Sequence, residues 1–171
     1  MNRGFTLLEL VVVLAIMSMI AGVAIARLKE PYCIARLGDV TSRIEHLDLQ
    51  ARAYAERFAR DVRLIYDLDK NTAYVESGDT GHQELFRLIL PSGVLLDRMR
   101  TCDQQMENGR FALDLSAAGQ SSSYAVRLSA GEGRCRWLFF AGVTGQVSEV
   151  AGQDDITKLF EMLRPPRHDA R

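Results

Sequence analysis

The chain has 171 residues, 47% hydrophobic and 25% charged, the composition of one globular domain with enough apolar mass to bury a core. Its 21 Lys and Arg against 22 Asp and Glu leave a net charge of -1, so no overall field draws it to nucleic acid or anionic lipid. The same figures exclude collagen-like, disordered and multidomain organisations.

The apolar residues are concentrated at the amino terminus. From Phe5 to Ala26 run 22 residues whose only clearly polar members are Thr6, Glu9 and Ser18. As a helix rising about 1.5 Å per residue they reach roughly 33 Å, the thickness of a bilayer's hydrocarbon layer. That length argues against an ordinary core helix. A secretory signal peptide would use Ala24-Ile25-Ala26 as its cleavage site and Arg3 as its basic region, but its apolar part usually spans only about 7 to 15 residues. A plain membrane anchor fits the length, with Arg3 favouring a cytoplasmic amino terminus and Arg27 and Lys29 opposing it. Neither accounts for Glu9, since a carboxylate deep in a spanning helix costs about 2.5 to 3.5 kcal/mol and needs a partner.

The run Gly4-Phe5-Thr6-Leu7-Leu8-Glu9, followed by Leu10-Val11-Val12-Val13-Leu14, resembles the class III signal of type IV pilins and type II secretion pseudopilins. The resemblance implies that a membrane-embedded prepilin peptidase cuts between Gly4 and Phe5 and methylates the new amino group of Phe5. The apolar helix then stays attached as a polymerisation element. A role for Glu9 is implied too: one helical turn after Phe5, its carboxylate meets the positive amine of a neighbouring subunit's Phe5 and sets the register between subunits. The family's helix often carries a proline near the end of the apolar run. This chain has Ala26 there, with Gly22 before it and Pro31 after, which moves the expected bend to Pro31.

Beyond Pro31, Leu37, Val40, Ile44, Leu47, Ala51, Tyr54 and Phe58 fall at steps of three and four and predict a helix with one buried face. Arg36, Asp39, Arg43, Glu45, Asp48, Arg52, Glu56 and Arg60 are expected on its solvated faces. From Val62 the pattern alternates. Strands are predicted at 62–66 and 73–76 around Asp67-Leu68-Asp69-Lys70-Asn71, at 85–90 and 94–99 around Pro91-Ser92-Gly93, and at 111–115, 124–128, 137–141 and 145–150. Asp154 or Asp155 caps a final helix through Leu163, which Pro165-Pro166 ends. The fold class is α+β, with a leader at 1–4, a transmembrane helix at 5–26, an amphipathic continuation at 27–61, a β-rich domain at 62–163 and a polar tail at 164–171. A long amino-terminal helix packed on an antiparallel β domain is the order of parts in the pilin-like fold. Within that fold, the segment from Phe111 to the Ala117-Ala118-Gly119 corner and the run Gly142-Val143-Thr144-Gly145-Gln146-Val147 are similar to the H-type minor pseudopilins and a related group of minor pilins.

No phosphate loop, zinc spacing or paired catalytic motif is present in the sequence, and no cofactor is implied. Asp67, Asp69 and Asn71 imitate the opening of a calcium loop, but Thr72 and Gly78 stand where its glycine and glutamate belong, so a hairpin turn is expected. Asp79-Thr80-Gly81 follows Glu76-Ser77-Gly78 rather than the apolar strand of an aspartic protease half-site. Ser121, Ser122 and Ser123 lack a nucleophile elbow, and His46, His82 and His168 are scattered. Cys33, Cys102 and Cys135 are an odd set for an oxidising compartment. Either Cys102 pairs with Cys135 or the thiols stay free.

The expected function is structural rather than catalytic. The chain reads as a minor pseudopilin of type II protein secretion, held in the inner membrane with its carboxy-terminal domain in the periplasm until it joins a pseudopilus. Its expected partners are prepilin peptidase and other pseudopilins or pilins. One alternative is a minor pilin of a type IV pilus that touches DNA, with Arg127, Arg134 and Arg136 or the tail residues Arg164, Arg167 and Arg171 as an exposed basic strip. The other is a membrane-tethered enzyme or binding domain on a similar anchor, for which the sequence shows no constellation.

Overall fold

The computed structural model describes residues 7–78, 83–131 and 133–163, the side chains of 24–32 excepted. The chain divides into two compact units, Met1–Arg36 and Leu37–Arg171, and helix α1 (Leu7–Phe58) contributes to both. Pro31 lies inside α1 rather than ending it. The end comes at Phe58, after which Ala59 takes a left-handed φ of 49°. The N–H of Arg60 then donates to the Ala55 carbonyl at 3.1 Å, the six-to-one bond of a Schellman close.

In the second unit the helix buries Leu37, Val40, Ile44, Leu47, Ala51 and Ala55. The expected stripe holds as far as Ala51. From there a period of about 3.6 residues carries the inward position to Ala55, which leaves Tyr54 half-buried and Phe58 51% exposed. Tyr54 still covers the edge of the core, with its ring 4.5 Å from Phe58 and 6.0 Å from Phe86.

Among the described residues nine strands follow: β1 (Val62–Asp67), β2 (Thr72–Ser77), β3 (Glu84–Ile89), β4 (Val94–Thr101), β5 (Gln105–Met106), β6 (Arg110–Leu115), β7 (Tyr124–Ala130), β8 (Arg134–Phe140) and β9 (Val147–Val150). They form two antiparallel sheets, in the orders β3-β2-β1-β6 and β5-β4-β7-β8-β9. The predicted strands all appear, within a few residues of their expected ends. Only β5 was not legible, because two polar-flanked residues show no alternation. Inward residues of both sheets, among them Leu64, Tyr66, Val75, Leu113, Met99, Val126, Leu138 and Phe140, share one core with α1.

Asn71 joins the two sheets. It sits at φ 55° in the β1–β2 turn, a left-handed position that asparagine tolerates better than most residues. Its amide donates to the Val94 carbonyl at 2.7 Å, and its side-chain oxygen accepts from the Leu96 N–H at 2.7 Å. One carboxamide thus serves β4 as a neighbouring strand would.

A last helix, α2 (Gln153–Leu163), carries Asp154 and Asp155 in its first turn, where the helix dipole favours acids. Through Ile156 and Phe160 it covers Ala125, Trp137 and Phe139 on the outer face of the second sheet.

Candidate assembly helix and a buried polar clamp

Along residues 7–23 every residue of α1 is exposed, the large apolar ones from Val13 at 41% to Leu7 at 81%. The polar side chains in this stretch are Glu9, in the first turn, and Ser18, whose hydroxyl donates to the Ala15 carbonyl at 2.9 Å. A helix apolar on all faces is stable only when lipid or other helices cover it. Among the described residues no helix is long and apolar enough to cross a membrane. Gly4 and Phe5, the expected cleavage and methylation positions, lie outside the described residues.

In the second unit the sequence expectation fails at two residues, for a physical reason. Asp48 and Arg52, expected on the solvated face, are 1% and 6% exposed. They stand one turn apart, with the Arg52 Nε donating to Asp48 Oδ2 at 2.7 Å. Arg52 Nη1 donates to the carbonyls of Gly119, at 2.8 Å, and Gly142, at 2.7 Å. Arg52 Nη2 donates to Ser121 Oγ at 3.1 Å and Asp48 Oδ1 at 3.3 Å. All five N–H groups of the guanidinium are therefore used, which is what its burial requires. The loops at 116–123 and 141–146 are held on the helix by this one side chain.

The geometry also accounts for three glycines. A Cβ on Gly119 would lie 2.6 Å from Glu56 Oε1, one on Gly145 2.9 Å from Arg52 Cδ, and one on Gly142 2.1 Å from the Ser121 carbonyl oxygen. These are the glycines of the two segments similar to H-type pseudopilins: close approach to the backbone of the other loop requires Gly142, and left-handed φ values of 69° and 68° require Gly119 and Gly145 where they meet α1 side chains. Ser121 and Ser123 are used as well: Ser121 Oγ accepts from Arg52, and Ser123 Oγ accepts from the Gly142 N–H at 3.0 Å.

Asp48 continues the network inward. Tyr124 donates its hydroxyl proton to Asp48 Oδ1 at 2.8 Å, and the Tyr66 and Tyr124 hydroxyls are 3.2 Å apart. Each phenol has one proton, so Tyr66 is the donor in that second bond. Burial pushes both phenols above their ordinary value of 10.0, and the charge of Asp48 adds to the effect. The folded state therefore keeps two protons that the unfolded chain releases above about pH 10. Stability is fully present below that pH and falls as pH rises, by about 1.4 kcal/mol per unit for each phenol. Denaturant titrations at pH 9 and pH 11 check this: Tyr66→Phe should flatten the alkaline loss, and an unchanged slope would contradict it.

The calcium-like residues are committed elsewhere. Asp67 Oδ1 accepts from the Lys70 N–H at 2.9 Å and its Oδ2 from Arg110 at 2.8 Å, while Asp69 accepts from the Gly109 N–H at 3.1 Å. Burial alone would raise the Asp67 carboxyl, but these bonds and the Arg110 charge outweigh it and hold it below its ordinary range. Among the described residues no group of acidic, histidine and cysteine side chains is arranged to hold a metal. His46 is exposed; Asp79-Thr80-Gly81, His82, His168 and the tail arginines lie outside the described residues.

The Cys102–Cys135 pairing is overturned. Cys102 follows Thr101, which pairs with Tyr124, whereas Cys135 pairs with Ser129. Five residues of β7 separate those rungs, about 17 Å at roughly 3.4 Å per residue, far beyond the ~7 Å between Cα atoms that a disulfide tolerates. Neither cysteine is in a disulfide. The arginine cluster is likewise not an open strip: Arg127 pairs with Asp97 at 2.9 Å and Arg136 with Glu149 at 2.6 Å.

Comparison with known proteins agrees with this architecture. Residues 1–25 match the family model described as the prokaryotic N-terminal methylation motif. No curated protein matches the sequence. The fold is similar to a structure of the minor pseudopilin EpsH from the type 2 secretion system of Vibrio cholerae, at TM-score 0.52 and 13% identity, over 67% of this chain and 95% of that one. A crystal structure of EpsH from the same organism matches at TM-score 0.53 and 11% identity, over 70% and 95% of the two chains. The chain thus joins an amino-terminal methylation motif to the α+β fold of a minor pseudopilin.

Proposed function

We propose that this chain is a structural minor pseudopilin of the type II secretion system. Prepilin peptidase cuts between Gly4 and Phe5 and methylates the Phe5 amine. The inner membrane holds the apolar helix, with the carboxy-terminal domain in the periplasm, until the subunit enters a pseudopilus beside other pseudopilins. The observation that carries this reading is an apolar helix exposed on every face and interrupted near its start by Glu9, within a segment that matches the methylation motif.

The physical logic couples processing to assembly. Lipid covers the helix first, and neighbouring helices replace lipid in the fibre at little cost, because both are apolar. Glu9 is tolerated there only beside a cation. Cleavage creates that cation at Phe5, whereas an uncut chain keeps residues 1–4 in its place. The β domain presents its surface to other subunits or to exported proteins, and its role is one of contact rather than catalysis.

Intact mass and amino-terminal peptide mapping of the membrane-extracted protein, with and without prepilin peptidase, test the reading. A start at methylated Phe5 that depends on the enzyme is expected. A start at Arg27, or an uncut Met1, would overturn it. Glu9→Leu should leave cleavage intact and lower incorporation into fibres by about tenfold or more, the equivalent of ~1.4 kcal/mol from one register-setting ion pair. Equal incorporation of the variant, measured by co-purification with assembled fibres, would contradict the role of Glu9.

A further inference from the structure

The second sheet has an apolar surface on each side. Its inner side belongs to the main core. Its outer side carries Ala125, Trp137 and Phe139, which with Ile156 and Phe160 of α2 form a small core that shares no residue with the first. We propose that α2 is a detachable strap, which lifts from this seat as a unit while both sheets and the 37–58 part of α1 stay folded, and so uncovers the strip made by Ala125, Trp137 and Phe139.

The seat is narrow. Ile156 and Phe160 are the buried residues of α2, and Phe160 meets Phe139 edge to face at 5.3 Å between ring centres. The polar ties run to β4: Arg98 donates to Gln153 at 3.1 Å and Arg100 to Thr157 at 2.8 Å, with the Arg100 guanidinium 5.7 Å from the centre of the Phe160 ring. The last turn is not covered, with Met162 79% and Leu163 55% exposed. A helix of 11 residues does not persist alone in water, so leaving the seat and unwinding are one event. The buried residues of the seat and those of the main core form separate clusters, so the contacts of α2 are lost without unpacking the main core's own side chains. The strap therefore opens at a lower free energy than the global one, and it controls access to an aromatic strip that would otherwise stand exposed on the sheet.

Trp137 is the chain's single tryptophan and lies under the strap, so it reports the opening directly. The test uses the full chain in detergent micelles. Hydrogen exchange should be about a hundredfold faster for α2 amides than for the amides of residues 37–58 in α1. Phe160→Ala should shift Trp137 emission to the red and raise its quenching by acrylamide, while the main unfolding transition followed by far-ultraviolet circular dichroism keeps its midpoint. A chain ending at Ala151 should keep that midpoint too. Equal protection of α2 and α1 would overturn the proposal. So would a Phe160→Ala variant that keeps Trp137 shielded, or one that loses the main transition along with the shielding.

Discussion

Replacing Arg52 by methionine should lower the unfolding free energy by about 3 to 5 kcal/mol, the cost of leaving one member of a buried ion pair without the other. The loss has two parts. Among the described residues Asp48 keeps the Tyr124 hydroxyl as a donor, but it loses its cation in a buried site. The carbonyls of Gly119 and Gly142 each lose their Arg52 donor. Arg52→Lys should recover little, since an ammonium with three donors cannot reproduce a planar fork that serves two carboxylate oxygens, two carbonyls and a hydroxyl. Combining Arg52→Met with Asp48→Asn should cost less than the sum of the two single changes, because the stranded charge is gone. Denaturant unfolding of the parent and the four variants decides the matter. An Arg52→Met midpoint equal to that of the parent would show that the clamp contributes nothing net.

Gly142→Ala should cost about 3 kcal/mol, at the upper end of what overpacking usually exacts. The new methyl would meet backbone atoms of another loop, the Ser121 carbonyl oxygen at 2.1 Å, the Ser122 carbonyl carbon at 2.5 Å and the Ser123 nitrogen at 2.6 Å. Backbone cannot rotate aside as a side chain can, so the two loops must part. Parting them breaks the bond from the Ser121 N–H to the Gly142 carbonyl, 3.0 Å, and strains the Arg52 bond to the same oxygen. Gly38→Ala is the control: nothing lies within 4 Å of the added carbon, and on a helix alanine should gain about 0.5 to 1 kcal/mol over glycine. Thermal or denaturant melts that rank these variants otherwise would contradict the packing described.

The helix, the strands and their turns were readable because their signals are local. A step of three and four marked the buried stripe, and alternation bounded by Gly, Pro, Asn and Asp marked the strands. The amino-terminal segment was equally plain, since length, apolarity and one misplaced acid occur together within the first 26 residues. Asp48 and Arg52 look solvated in the sequence for an equally local reason. An acid and a base four residues apart beside an apolar stripe look the same whether water or two distant loops face them. Only the glycines at 119, 142 and 145 hinted at close approach, and nothing in the sequence says that what approaches them is α1 or the other loop. The cysteine pairing failed on register. Cys102 follows β4 and Cys135 lies in β8, and the strand between them, β7, places them at opposite ends of its own length.

The connections of Arg52 and Asp48 also constrain the order in which the molecule can be completed. Arg52 reaches 67 residues ahead to Gly119 and 90 ahead to Gly142, and Asp48 reaches 76 ahead to Tyr124. A chain emerging from its amino terminus presents these two charges long before it presents the groups that satisfy them. Loop closure over such spans is slow. Until residue 142 has arrived, the helix has no finished surface to fold against. The domain is thus sealed late, by its final third, and a subunit whose carboxy-terminal strands are missing or delayed carries an open core rather than a smaller closed one.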